Sequence, residues 1–188
     1  MKHALVRDHI IKTASDLFYR NGYNRTGINE IINEAGIAKA TLYNHFKSKE
    51  AICVAYLKYM NDQFLKDFKG YLDSKPSGES KLLGIFDYLQ TFYASKSFNG
   101  CWCINTISEI PKDNEKIRKE IQKEKYQLIH FMEELLTNNF PKITDDQIPV
   151  LAKKIYLLYE SAIAESHLHQ DPWAIDSAQD LCKMILPK

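Results

Sequence analysis

Residues 36–50 read Gly36-Ile37-Ala38-Lys39-Ala40-Thr41-Leu42-Tyr43-Asn44-His45-Phe46-Lys47-Ser48-Lys49-Glu50. The stretch reads as a turn, a short helix and the start of another helix. Successive helical residues are about 100° apart. Leu42 and Phe46 therefore point the same way and serve as the only inward anchors, while Ala40 and Asn44 point almost opposite. Thr41 and Tyr43 lie on the flanks, Lys39 in the first turn and His45 toward the other edge. Lys47 and Lys49 follow just beyond. A helix meant for burial would place apolar groups where this one offers a short methyl, an amide, hydroxyls and cations.

Those groups match what a DNA groove presents. An asparagine amide can bond bidentately to adenine, and Ala or Thr methyls can touch the thymine methyl. Hydroxyls and cations hold phosphates and fix the register. A solvated surface helix would have the same polarity, so the flanking sequence decides between the two. Upstream, Ile28, Ile31, Ile32 and Ala35 form an i, i+3, i+4, i+7 stripe. Thr26 is placed to cap that helix, and Gly36 stands where a left-handed residue ends one. Two helices joined by a short glycine-containing turn, the second exposing readout groups, form a helix-turn-helix.

The N-terminal quarter of the chain resembles the DNA-binding domain of the TetR family of transcriptional regulators. The matching pieces are Ile10-Ile11-Lys12-Thr13-Ala14, Leu17-Phe18 with Gly22-Tyr23, Thr26-Gly27-Ile28 with Ile31, Ala35-Gly36-Ile37, and the ungapped run from Thr41 to Glu50. Ala38 departs from the pattern, since many family members place a capping serine there. The resemblance implies an all-α protein of about nine helices. Residues 1–47 would form the helix-turn-helix domain and residues 48–188 a ligand-binding and dimerisation domain.

Charge distribution agrees with that division. The 188 residues carry a net charge of +1, yet residues 1–50 hold eight basic and five acidic side chains, a balance of +3, leaving −2 for the rest. A basic N-terminal part suits phosphate contact, and a near-neutral remainder suits something else. No apolar run approaches transmembrane length, and the first residues lack the apolar block of a signal peptide. The expectation is a cytoplasmic protein whose thiols are reduced. Cys53, Cys101, Cys103 and Cys182 include a C-x-C, not the C-x-x-C of redox helices or zinc ribbons. Buried structural thiols are expected, with a sensing role as the alternative, and no metal or cofactor is expected. No Gly-rich phosphate loop, nucleophile elbow or H-E-x-x-H motif is present, so the chain is not read as an enzyme.

Outward from the opening stretch, helical spacing predicts helices over residues 5–21, 49–73, 79–96, 103–110, 113–139, 146–169 and 172–186. Gly22 should stop the first, Asp145 or Asp146 should cap the helix containing Pro149, and Asp171-Pro172 should open the last. Asn99-Gly100-Cys101-Trp102-Cys103 with Glu109 is similar to a Gly-Cys stretch that some TetR regulators carry before their longest C-terminal helix. The C-terminal part is dense in aromatics. Most should be core, but an apolar cavity with a few polar handles is what a small-molecule site looks like. Candidates for its lining are Tyr59, Gln63, Phe86, Tyr93, Trp102, Asn105, Tyr126, His130, Tyr156 and Glu160. Ile155, Tyr159, Ala162, Ile163, Ser166, Ala174, Ala178, Leu181 and Ile185 on the last two helices form either an internal core face or, as the resemblance implies, a homodimer face.

The resemblance implies a homodimeric regulator, most often a repressor, that binds a near-palindromic double-stranded operator and responds to a small-molecule inducer. Lys39, Ala40, Thr41 and Asn44 are the candidates for base edges. Thr26, Tyr43, His45, Lys47 and Lys49 are the candidates for phosphates, His45 adding a charge if protonated. A thiol- or metal-responsive regulator on the same scaffold and a small helical enzyme are the alternatives.

Overall fold

The computed structural model describes residues 2–187. Among the described residues the chain forms nine helices and no strand: α1 (Lys2–Asn21), α2 (Ile28–Glu34), α3 (Lys39–His45), α4 (Lys49–Asp73), α5 (Glu79–Tyr93), α6 (Trp102–Glu109), α7 (Glu115–Asn139), α8 (Ile148–His169) and α9 (Trp173–Ile185). None of these helices is long and apolar enough to cross a membrane. The chain divides into two compact units, one of residues 1–63 and 102–124 and one of residues 64–101 and 125–188. Helices α4 and α7 each contribute residues to both.

In the first unit, α1 ends where the Gly22 N–H donates to the Phe18 carbonyl at 2.9 Å and Gly22 itself turns left-handed at φ +89°. That conformation costs a side-chain-bearing residue roughly 1–2 kcal/mol, which glycine avoids. Gly27 caps the start of α2, its N–H donating to the Glu30 carboxylate at 3.2 Å. Thr26 is not the cap that the sequence suggested. Its side chain is turned inward, and Glu30 reaches back to do part of that work. Gly36 follows α2 at φ +61° and lets the chain double back into α3. Ile10, Ile11, Ala14, Leu17 and Phe18 of α1, Ile31 and Ile32 of α2, and Leu42 of α3 form the core of this three-helix arrangement, with Phe46 just past α3. Ser48 opens α4, its hydroxyl accepting the Ala51 N–H at 3.1 Å.

The second unit centres on Phe68, Leu72, Leu82, Ile85, Phe86, Leu89, Met132, Leu136, Ala152, Ile155, Tyr159 and Ala162, all fully or almost fully buried. Phe68 joins Phe64, Tyr88, Phe131 and Tyr159 with ring centroids 5.0–6.0 Å apart, the range in which aromatic pairs stabilise one another beyond area burial. Pro149 falls in the first turn of α8, where its missing N–H is no loss. The residue before α8 is Gln147, which makes no side-chain cap bond, so neither Asp145 nor Asp146 caps this helix. Instead Gln147 accepts the Thr144 N–H. Asp171 accepts the Trp173 N–H at 2.9 Å at the head of α9.

Packing of α8 against α9 and α5 overturns most of the dimer-face expectation. Ile155, Tyr159, Ala162, Ile163, Ser166, Ala174 and Ala178 are all buried within the single chain. They are the internal core face, and Ser166 satisfies its hydroxyl on the Ala162 carbonyl of its own helix. Leu181 and Ile185 alone of that set remain exposed. The outward apolar residues are instead Val150, Leu157 and Leu168 on α8 and Trp173, Leu181, Met184 and Ile185 on α9.

Candidate nucleic-acid interface

Helix α3 is held by two side chains. Leu42 is fully buried and Phe46 almost so, as expected for residues one turn apart. Lys39, Ala40, Tyr43, Asn44 and Lys47 are exposed, while Thr41 and His45 are half-buried. The first five therefore present a short methyl, a phenol, an amide and two ammonium groups to solvent from one small helix and the residue after it.

The first two turns of α1 lie beside the end of α3. The His3 ring stands 4.0 Å from that of His45, and the Arg7 guanidinium sits 4.9 Å over the Phe46 ring. Burial, then the nearby His3 and Arg7, lower the His45 pKa below its ordinary 6.5. The shift favours the neutral ring, which still offers one N–H. Lys49 opens α4 with its ammonium 4.3 Å from the centroid of the Tyr23 ring. Burial lowers its pKa, opposed by Cys53 and the Glu109 carboxylate.

Thr26 does not belong to this surface. It is completely buried, and its hydroxyl donates to the Gly22 carbonyl at 2.8 Å, with the Leu17 carbonyl 3.3 Å away. It holds the α1–α2 turn together and cannot reach a phosphate.

The sequence reading missed the contact between that turn and α6. The Glu109 carboxylate accepts the Asn24 N–H at 2.6 Å, and the Asn24 amide donates to the Glu109 carbonyl at 2.8 Å. Lys116 pairs with Glu50 at 3.0 Å. These partners lie 85 and 66 positions apart in the chain, beyond any local pattern. The one available signal was an acid at the last residue of α6, the end where the helix dipole disfavours negative charge.

The expected pocket lining divides between the units. Tyr59, Gln63, Trp102 and Asn105 belong to the first, and Phe86, Tyr93, Tyr126, His130, Tyr156 and Glu160 to the second. Phe86 and Trp102 are buried, whereas Tyr59, Tyr93, Asn105, Tyr156 and Glu160 are half-buried. Gln63, Tyr126 and His130 are exposed, which corrects their assignment as inward polar handles. His130 lies on the outer face of α7, its Nδ1 3.1 Å from Glu133. In the second unit Lys125 donates to Glu160 at 2.6 Å and to the Cys101 sulfur at 3.1 Å.

Burial pushes the Cys53 thiol far above its ordinary range and raises Cys182 to about 12. Both are protonated and unreactive at neutral pH. No group of three or more His, Cys, Asp or Glu side chains placed to hold a metal ion occurs among the described residues.

Residues 10–56 match the family model of bacterial regulatory proteins of the tetR family. An uncharacterized HTH-type transcriptional regulator of Lactococcus lactis is 25% identical over 97% of this chain and 93% of its own. A solved structure of a putative transcriptional regulator of the TetR/AcrR family is 26% identical with a TM-score of 0.80, covering 98% of this chain and all of the other. The N-terminal part of the chain, residues 10–56, belongs to the TetR family. The HTH-type transcriptional repressor KstR2 of Mycolicibacterium smegmatis is 34% identical to this chain over 80 residues, 43% of this chain and 39% of the repressor. The family-model match runs from the middle of α1 through α2 and α3 into the first turns of α4, so it contains the whole helix-turn-helix.

Proposed function

We propose that this TetR-family regulator is a homodimeric repressor that leaves a near-palindromic operator when a small molecule binds. Residues 1–47 read DNA and residues 48–188 bind the ligand and the second subunit. The observation that carries the reading is the outward face of α3, where Lys39, Ala40, Tyr43 and Asn44 are exposed while Leu42 is fully buried. Ala40, Asn44, Lys39 and half-buried Thr41 take base edges. Tyr43, Lys47 and Lys49 take phosphates, together with the free N–H groups at the start of α4.

One such helix specifies too few base pairs for a unique address, and two-fold symmetry doubles the site. Half-sites then lie about one helical turn or a multiple apart. The outward apolar face of α8 and α9, with Leu157, Leu168, Leu181 and Met184, is the surface that a second copy covers. Several large apolar side chains exposed on two neighbouring helices mark an interaction site in a soluble chain.

Release works through α4, which carries residues of both compact units. A ligand that favours the wrong half-site separation must supply about 5.5 kcal/mol of differential binding to move a 99:1 balance to 1:99. A ligand buried among aromatic side chains such as Phe86, Tyr93 and Tyr156 supplies that from apolar area. The role is one of binding in the cytoplasm, with no turnover.

Fluorescence anisotropy on fragments upstream of the chain's own gene and its neighbours, followed by footprinting, tests the reading. A symmetric protected site with salt-dependent affinity is expected. A purified dimer indifferent to every such fragment overturns it.

A further inference from the structure

We propose that Glu109 is a positioning residue for DNA reading: the end of α6 holds the α1–α2 turn, and so sets the geometry in which the helix-turn-helix meets the operator. This rests on the reading of the chain as an operator-binding protein and adds to it a contact that does not run along α4.

The contact is built at both ends. Helix α6 ends at Glu109, one of the last residues whose carbonyls have no partner within the helix itself. The Asn24 amide donates to the last of these at 2.8 Å while the Glu109 carboxylate accepts the Asn24 N–H at 2.6 Å. One residue thus meets both the side chain and the main chain of its partner. A negative side chain at a helix C-terminus opposes the macrodipole, so α6 alone gives no reason for an acid there. The turn is shaped to admit it. Gly22 is left-handed, and a Cβ at that position would collide with the Glu109 carboxylate. A charge-assisted bond to a backbone N–H is about twice as strong as a neutral one.

The held turn lies immediately before α2, and α2 packs on α3. Thr26, two residues on from Asn24, bonds back to Gly22, so the segment between the contact and the helix-turn-helix is short and internally tied. A second link lies nearby in sequence. Lys116, at the start of α7, pairs with Glu50 at 3.0 Å in the first turn of α4. Together the residues from Glu109 to Lys116 touch the head at two places, before α2 and after α3. Lys49, a phosphate candidate, feels the Glu109 charge as well. Displacement of α6 would therefore reach the reading helix through main-chain contact.

The test compares the parent with Glu109→Ala, Glu109→Gln and Lys116→Ala, using anisotropy on the operator fragment, hydrogen exchange of the free protein and thermal melting. Glu109→Ala is expected to weaken operator binding about tenfold and to speed exchange of the amides of residues 22–46. Its melting temperature should stay within about 2 °C of the parent's, and Glu109→Gln, which keeps an acceptor oxygen, should recover most of the affinity. Lys116→Ala, the more exposed link, should show the same pattern more weakly. Unchanged affinity and exchange in Glu109→Ala overturn the proposal. So does a loss of affinity matched by a large drop in melting temperature, which would mark the contact as general scaffolding. A parent chain that binds no DNA removes the regulator reading itself and the positioning role with it, and hydrogen exchange then still reports whether the contact orders the head.

Discussion

The Thr26 hydroxyl donates to the Gly22 carbonyl at 2.8 Å from a completely buried position. This bond ties the end of the α1–α2 turn to its beginning. Replacing Thr26 by valine keeps the shape and leaves the Gly22 carbonyl without that donor, which costs roughly 1–3 kcal/mol. Chemical denaturation should show that loss, and the salt dependence of operator binding should keep its slope, because no phosphate contact is removed. A shallower salt slope with unchanged stability would return Thr26 to the DNA surface.

Tyr43 and Asn44 are both exposed on α3 but are assigned different roles. Tyr43→Ala removes a phosphate contact and should weaken binding to all operator variants alike. Asn44→Ala removes a base contact and should cost about 1–3 kcal/mol against the preferred sequence, relaxing preference at one base position. Anisotropy across a set of singly substituted operators separates the two outcomes. A Tyr43→Ala variant that shifts preference, or an Asn44→Ala variant that weakens all operators equally, would exchange the roles.

The reading head was legible because its information is local. Leu42 and Phe46 are one turn apart, Gly36 sits at the break, and the isoleucine stripe of α2 needs nothing outside seven residues. Helix α8 was not legible in the same way. It carries apolar groups on two sides, Ile155, Tyr159, Ala162 and Ile163 on one and Val150, Leu157 and Leu168 on the other, and spacing alone does not say which side meets α5. An apolar stripe at helical spacing does not by itself mark a dimer face, since a surface between subunits must also be exposed in each. Tyr126 and His130 failed as pocket residues for a related reason. Helix α7 turns polar side chains outward along its whole length, and two of them were mistaken for lining. Thr26 shows the limit at a single residue, because a hydroxyl serves a helix cap, a phosphate or its own turn equally well until its direction is known. The Glu109–Asn24 contact joins residues 85 positions apart, and the only trace of it in the sequence is an acid at the end of α6.

The outward face of α8 and α9 makes a prediction about assembly. Leu157, Leu168 and Met184 are each at least 64% exposed, whereas Ala162 is buried. Leu157→Asp with Met184→Asp places two charges where a second copy would sit and should reduce the mass measured by light scattering from two copies to one. Helical content by circular dichroism should be retained. Ala162→Asp, buried in each chain, should unfold the protein instead. A double aspartate variant that stays dimeric would move the interface elsewhere.

Glu160 makes a prediction about pH. Burial, and next the Cys101 thiol, raise its carboxyl from an ordinary 4.5 to about 7, against the downward pull of Lys125 at 2.6 Å. Its second oxygen is buried without a hydrogen bond, which adds to the cost of ionisation. Unfolded, the group loses its proton near 4.5, and folded, near 7. Between those values the native state holds a proton that the unfolded chain has released, so stability falls as pH rises through that window and levels off above about 7. The full effect is at most about 3 kcal/mol. Glu160→Gln cannot ionise, so the difference in stability between variant and parent should change with pH in the variant's favour from pH 5 to pH 8. Urea unfolding at fixed protein concentration, needed because the proposed dimerisation would couple to folding, measures that difference at each pH. Other carboxylates titrate alike in both proteins and cancel. If the two unfolding midpoints run parallel across the range, Glu160 is ionised throughout and its pair with Lys125 is complete even at pH 5.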